Sequence, residues 1–266
     1  MEDKKKAEAR ESMEQYLSVW KKLVAELPDP DLGDRPGLSI RWADSAFPFW
    51  NAIFLNEQLD DSEVLASRLH DAALYMRQKR HAGLIYIFES SLSPSTKGGL
   101  PQILKRIGLE PALPITGMAG DLFPLSAPSH PTLRIHRVTD EAGLLAYAQV
   151  NCAAYGFPLE AAQTALKGSE LWKQSFTYMG YENGRPVTTA SAIVNDRALY
   201  LALVATIPEA RGNGHAEAIV RHALHNAHRA TGLTRSILHA TDAGFPVYKR
   251  VGYHATARIM AYKPSN

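Results

Sequence analysis

Cysteine is almost absent from this chain of 266 residues: Cys152 stands alone. A single cysteine forms no intramolecular disulfide and builds no thiolate metal site, so the cytoplasm is the expected compartment. No apolar run approaches the roughly 20 residues of a membrane span. The charged start Met1-Glu2-Asp3-Lys4-Lys5-Lys6 leads into a polar helical pattern rather than a signal-peptide core. Charge of one sign is also scarce in excess. The 29 Lys and Arg against 27 Asp and Glu leave a net +2, and no arginine-rich or aromatic–basic run argues for nucleic acid. Two phosphate-binding fingerprints are missing as well, for neither G-x-x-x-x-G-K-[ST] nor G-x-G-x-x-G occurs.

The small charge excess is unevenly placed. Residues 1–125 carry 15 basic and 18 acidic side chains, the remainder 14 and 9, so the second half is the one suited to an anionic ligand. A hydrophobic fraction of 45% is ordinary for one large or two small domains with a packed core. Within the basic half, Ala198 to Ala205 is nearly continuous apolar residue, as in a central strand buried on both faces. A proline turn and a glycine loop follow, Pro208-Glu209-Ala210-Arg211-Gly212-Asn213-Gly214. Ala216, Ile219, Val220, Ala223, Leu224 and Ala227 then mark one stripe of a helix that Gly232 would cap. Such a strand–loop–helix turns bare backbone N–H groups of Gly212, Asn213, Gly214, His215 and Ala216 toward an anion, with Arg211 as a permanent charge at the mouth.

A second block lies downstream: strand Ile237 to Ala240, then Gly244-Phe245-Pro246-Val247-Tyr248-Lys249-Arg250-Val251-Gly252-Tyr253. The Arg-x-x-Gly-x-Ala loop of residues 211–216 and the Tyr-x-x-x-Gly-Tyr ending, in this order and spacing, resemble the GNAT acyltransferase superfamily over roughly residues 130 to 266. That resemblance implies an α/β fold with a mixed, mostly antiparallel sheet flanked by helices, and acetyl-CoA as donor without a metal. It implies that the loop holds the pyrophosphate and that the backbone of Leu203, Val204 and Ala205 pairs with the pantetheine arm. Thr241 and Gly244 are implied as further cofactor contacts, and Tyr248 as the general acid toward the leaving sulfur. One departure stands out, since residues 198–206 carry no carboxylate where many relatives keep a glutamate. The base is then water, His239, an acid from 151–172, or none if the amine arrives neutral.

Other elements read as follows. Residues 5–27 form a helix with Met13, Leu17, Trp20, Val24 and Leu27 on one side, and 38–55 is strand-like around a turn. Residues 62–80 form a helix burying Val64, Leu65, Leu69, Ala72, Ala73 and Met76, followed by strand 83–88, a short helix 102–107 and a strand near Ile115. Residues 124–131, rich in Pro and Ser, form a linker. Strand 133–138 leads to a helix capped by Thr139, a second helix near 159–171, and a hairpin 175–194 turned by Asn183-Gly184. Helix 62–80, strand 83–88 and helix 102–107 repeat the order of 214–251, yet Asn56 to Ser62 has no glycine and three acids.

The expected division is therefore 1–123 as a smaller GNAT-like half that has lost its cofactor site, the linker 124–131, and a catalytic domain at 132–266; an unrelated α/β extension is the alternative for the first part. His222, His225 and His228 fall on a solvated helix face rather than a metal site, and Cys152 packs rather than attacks. A small-molecule primary amine or amino acid is the expected acceptor, with a peptide N-terminus as the enzyme alternative and an acyl-CoA sensor as the non-catalytic one. A monomer or homodimer is expected, with neither nucleic acid nor membrane as partner.

Overall fold

In the computed structural model the described residues are 2–125 and 130–265. They fall into two compact units, Met1–Met118 with His239–Ala243 and Ala255–Asn266, and Ala119–Leu238 with Gly244–His254. Part of the expected linker, residues 126–129, lies outside the described residues. Compactness and chain order divide the molecule differently. The last strand, β11 (His254–Pro264), pairs antiparallel with β4 (Leu84–Phe88), matching Ile259 to Phe88 and Tyr262 to Ile85.

In the first unit β2 (Leu38–Trp42), β3 (Asn51–Leu55) and β4 are buried at every residue. β4 is unbroken apolar, as in a strand covered on both faces, whereas β2 and β3 also bury the polar Ser39, Arg41 and Asn51. The strand order is β1 (Asp34–Arg35), β2, β3, β4, β11, β5 (Leu109–Asp121), with β3 and β4 parallel. Alternation along the strands sends Phe54, Tyr86 and Phe88 toward Tyr16 of α1 (Glu2–Ala25), at ring separations of 5.1, 5.4 and 6.4 Å. Ile53, Leu55, Ile85 and Ile87 join the core formed with Leu65 and Leu69 of α2 (Ser62–Arg77) and Leu104 of α3 (Pro94–Ile107).

In the second unit the order is β10 (Arg235–Ala240), β9 (Ala198–Thr206), β8 (Arg185–Asn195), β7 (Phe176–Glu182), β6 (Arg134–Arg137). Helix α7 (His215–Thr231) packs against β7, β8 and β9, and α4 (Glu141–Tyr155) against β8 and β9. The Asn183-Gly184 turn is as expected: both residues have positive φ, 51° and 78°, the backbone that a two-residue hairpin demands. Gly232 also caps α7 as expected, with φ 73° and its N–H on the His228 carbonyl at 2.7 Å. The fold is the mixed, mostly antiparallel α/β arrangement read from the sequence.

Several details differ. The buried face of α1 is Ala9, Ser12, Gln15, Tyr16, Val19, Leu23 and Val24. Val24 is buried as expected, while Met13, Leu17 and Trp20 are only half-buried, because the small Ala9 and Ser12 let the helix seat Tyr16. Val64 is 38% exposed. Helix α3 starts at Pro94, not near 102. Ser93 caps it, and the buried Thr96 Oγ1 is tied to the Leu59 carbonyl at 2.9 Å, so tertiary anchoring outweighs Gly98, Gly99 and Pro101. The cap of α4 is Asp140, whose Oδ1 accepts from the Gly143 N–H at 2.8 Å, rather than Thr139. The expected helix 159–171 is two, α5 (Leu159–Leu166) and α6 (Glu170–Gln174), parted by Gly168 at φ 74°.

A Cβ on Gly83 would stand 2.4 Å from both the Asn51 carbonyl oxygen and the Trp42 ring. Gly83→Ala should therefore cost about 1–3 kcal/mol as overpacking. By contrast Gly98→Ala, within α3 with nothing inside 4 Å of the added carbon, should gain roughly 0.5–1 kcal/mol. Urea midpoints check both, and a Gly83→Ala midpoint equal to wild type would refute the contact.

Candidate active site

The loop between β9 and α7 is shaped by backbone conformation. Gly212 and Gly214 both take left-handed φ, 83° and 81°, a region that costs any other residue strain. A Cβ on Gly212 would meet nothing within 4 Å, and one on Gly214 only the His130 ring at 3.8 Å. Among the described residues no side chain caps α7, so the first N–H groups of this 17-residue helix are open to an anion. The acid in its first turn does not oppose this. Glu217 is held by Arg221 at 3.0 Å and Arg250 at 2.9 Å.

The expected contacts around the loop take defined places. Arg211 is exposed and braced, Nε on the Thr206 carbonyl at 3.2 Å and Nη2 on the Ala154 carbonyl at 2.9 Å. It is thus a tie to the end of α4 as much as a free charge. The Asn213 carbonyl accepts from His130 Nε2 at 2.8 Å. The His215 side chain is buried, its Nε2 3.2 Å from a Glu182 carboxylate oxygen, which leaves only its backbone for a ligand. Ala216 follows in the same first turn.

β9 carries the second feature. Its parallel pairing with β10 ends at Leu201 opposite Leu238, while β9 continues to Thr206. Its pairing with β8 slips as well: Thr189 faces Ala205 but Ser191 faces Ala202, so β9 holds an extra residue. Leu203 sits in this bulge at φ 45°. Its carbonyl accepts from both Tyr147 OH and Thr189 Oγ1, each at 3.0 Å, and the Val204 carbonyl accepts from Tyr155 OH at 2.8 Å. A trans peptide points its N–H opposite its C=O. The Val204 N–H is therefore directed away from α4, toward the edge that β10 has left.

Tyr248 stands on α8 (Phe245–Val251) and is 8% exposed. Burial, then the nearby Tyr155 and Tyr253, push its phenol well above the ordinary value, so it holds its proton at neutral pH. Tyr253 donates to Ser236 Oγ at 2.6 Å, which in turn donates to the Leu199 carbonyl at 3.0 Å. This chain fixes the ring against which Tyr248 packs edge-on at 6.0 Å. Thr241 and Gly244 lie on the connection from β10 to α8, Gly244 as the residue opening the helix at φ −82°.

Sequence reasoning named neither Tyr147, Tyr155 nor Thr189. The one available signal was the eight-residue spacing of the two tyrosines, which puts both on one side of α4. Other candidates are set aside by their surroundings. The Cys152 thiol is pushed up by burial and faces the Pro158 carbonyl at 3.6 Å, which makes it a packing residue. The α7 histidines are half-buried rather than fully solvated: His228 stacks on Phe123 at 4.0 Å and burial lowers the His222 pKa. Among the described residues no group of three His, Cys, Asp or Glu could hold a metal. An open cavity of ≈ 930 Å³ along β6 and the start of α4, lined by His130, Arg134, His136 and Asp140, includes neither the bulge nor Tyr248.

The family model for the acetyltransferase (GNAT) domain matches residues 147–261. Those residues are a GNAT domain. No curated protein matches the sequence. Among solved structures, a GCN5-related N-acetyltransferase from Kribbella flavida is similar with a TM-score of 0.70 and 17% identity, over 97% of this chain and 95% of that one. A protein from Staphylococcus epidermidis described as functionally unknown gives 0.66 and 15%, over 90% and 95%. A tandem GNAT protein from the clavulanic acid biosynthesis pathway gives 0.53 and 10%, over 81% and 76%. At these identities the likeness is one of fold. The glycine loop and the bulged strand both lie within the matched residues.

His239, the histidine flagged from the sequence, stacks on Tyr16 at 3.8 Å and shares a hydrogen bond with Ser12 Oγ at 3.0 Å. Burial holds its pKa down to about 3. An unfolded histidine titrates near 6.5, so on acidification the unfolded chain takes up a proton that the folded chain refuses. Stability present above about 6.5 is then lost as the pH falls toward 3. His239→Phe should flatten this fall, measured by urea midpoints between pH 7 and pH 4. Parallel slopes for variant and wild type would contradict the assignment.

Proposed function

We propose that the chain is an acyl-CoA-dependent N-acetyltransferase, moving acetyl from acetyl-CoA to the primary amine of a small molecule or amino acid. One observation supports this above the others. A side-chain-free helix N-terminus opens from the same strand whose edge is released by a bulge, so phosphate and thioester ends of one extended donor find backbone partners in series. In this reading the N–H groups of residues 212–216 hold the pyrophosphate, Leu203 to Ala205 pair with the pantetheine amides, and the Val204 N–H polarises the thioester carbonyl. A donor of that last kind is commonly worth about 2.7–4 kcal/mol in acyl transfer.

The amine nitrogen attacks the thioester carbon directly, the carbonyl π bond moves to oxygen, and collapse breaks the C–S bond. Tyr248, kept protonated by burial, gives its proton to the leaving thiolate. His239, with a pKa of about 3, is too weak a base to take the amine proton efficiently. The amine enters neutral, and turnover follows its deprotonated fraction. The proton its nitrogen sheds after attack passes to water, and the Tyr248 phenolate left by protonating the thiolate regains a proton from water. No covalent intermediate is invoked, since the buried Cys152 thiol is inert.

The first half is read as a GNAT-like module without a donor site, giving the division 1–123, 124–131 and 132–266. Its β3–α2–β4 crossover is parallel, as is β9–α7–β10. The difference lies at the helix start, where the Asp61 carboxylate caps α2 by accepting from the Glu63 and Val64 N–H groups at 2.7 and 3.3 Å. An anion is already seated there. The single unpaired cysteine fits a cytoplasmic enzyme. A second reading, an acyl-CoA sensor, draws on the side chains at the bulge, which are hydroxyls and amides without a base.

Thiol release from acetyl-CoA with a panel of primary amines, run beside CoA titration, decides between them. Turnover on any amine supports the enzyme, binding without turnover supports the sensor, and absence of binding removes both. Gly214→Glu should abolish CoA binding through strain and charge. Tyr248→Phe should keep CoA affinity within about twofold and slow turnover about 10²-fold; unchanged turnover would take Tyr248 out of the reaction.

A further inference from the structure

We propose that Tyr147, Thr189 and Asn151 are positioning residues that lock the β9 bulge and thereby aim the Val204 N–H at the thioester carbonyl. The inference rests on the acyl-CoA reading for its ligand, but the lock itself is a property of the chain. Tyr147 and Thr189 are 0% exposed and Asn151 is 1% exposed. Three hydroxyls converge on two consecutive carbonyls of one strand, an arrangement that a regular ladder never needs.

Proton accounting gives this network one direction. Asn151 Nδ2 donates to the Tyr147 carbonyl at 2.9 Å and to Thr189 Oγ1 at 3.2 Å. Exchanging its nitrogen and oxygen would set oxygen against the Tyr147 carbonyl, so the amide orientation is fixed. Its Oδ1 is buried and has no hydrogen-bond partner among the described residues. That is an expensive arrangement, and it suggests a residue kept for its donors. Because Thr189 Oγ1 already receives a proton from Asn151, its own hydrogen must go elsewhere, and the acceptor in place is the Leu203 carbonyl at 3.0 Å. Tyr147, whose phenol burial keeps fully protonated, supplies the second donor to the same oxygen.

The consequence is conformational. Leu203 sits at φ 45°, where a leucine is sterically disfavoured. Two donors on its carbonyl hold the peptide in that setting. Without them the 203–204 peptide is free to rotate toward ordinary strand geometry, and the Val204 N–H turns with it. Chain atoms remote from the ligand would then control catalysis through a single peptide plane.

Thr189→Val and Thr189→Ser separate the hydroxyl from the packing, since valine keeps the shape and serine keeps the donor. Two readouts are needed. The first is amide hydrogen exchange over residues 202–206 of the free protein. It should rise about tenfold in Thr189→Val and in Tyr147→Phe and stay near wild type in Thr189→Ser, in line with loss of one buried hydrogen bond. The second is affinity for acetyl-CoA relative to S-ethyl-CoA, a thioether without the carbonyl. The wild type and Thr189→Ser should prefer acetyl-CoA. Thr189→Val should lose about tenfold of that preference while binding S-ethyl-CoA unchanged. Unaltered exchange in Thr189→Val and Tyr147→Phe, or serine behaving worse than valine, overturns the lock. If neither ligand binds the wild type, the acyl-CoA reading and the aim toward a thioester fall together, and the exchange result still judges the lock.

Discussion

The second unit depends on one arrangement: β9 parts from β10 after Leu201 and is bulged two residues later. A strand interior normally spends every N–H and C=O on its neighbours. Here the carbonyls of Leu203 and Val204 are satisfied by hydroxyls instead, which holds the 203–204 peptide with its N–H toward the edge that β10 has left. The loop that follows only has to carry the chain from this released edge to the start of α7. Gly212 and Gly214 do so with two left-handed residues, the second of which opens the helix.

Much of this was legible because it is local. The apolar run 198–205, the glycine loop and the stripe from Ile219 to Ala227 lie within one stretch of chain, and each is set by backbone rules that single residues report. Asn183-Gly184 and Gly232 were readable for the same reason. The hydroxyls that satisfy the bulge were not, for Tyr147 meets Leu203 across 56 residues and Thr189 across 14. Neither contact leaves a trace in periodicity, since a tyrosine on an apolar face reads as ordinary core.

Misreadings elsewhere share a cause, which is tertiary contact outweighing local preference. Gly98-Gly99 and Pro101 suggest a break, yet α3 runs through them because Ser93 caps it and Thr96 anchors its first turn to the Leu59 carbonyl. His222 and His228 suggest solvent by their spacing, yet neighbours such as Tyr178 and Phe123 cover them. In α1, Ser12 and Ala9 turn inward in place of larger apolar residues, since a small face is what lets the Tyr16 ring stack flat on His239.

The two crossovers treat their helix starts in opposite ways, and that difference carries a thermodynamic meaning. A capping side chain commonly contributes about 0.5–2 kcal/mol to a helix. Helix α2 has one in Asp61 and is complete by itself. Helix α7 has none among the described residues, so its first turn forgoes that contribution until something negative arrives. An anion seated there acts as a borrowed cap, and occupancy becomes part of the folding equilibrium: the domain should be most cohesive when loaded, with its loop and first helical turn the earliest to open when empty.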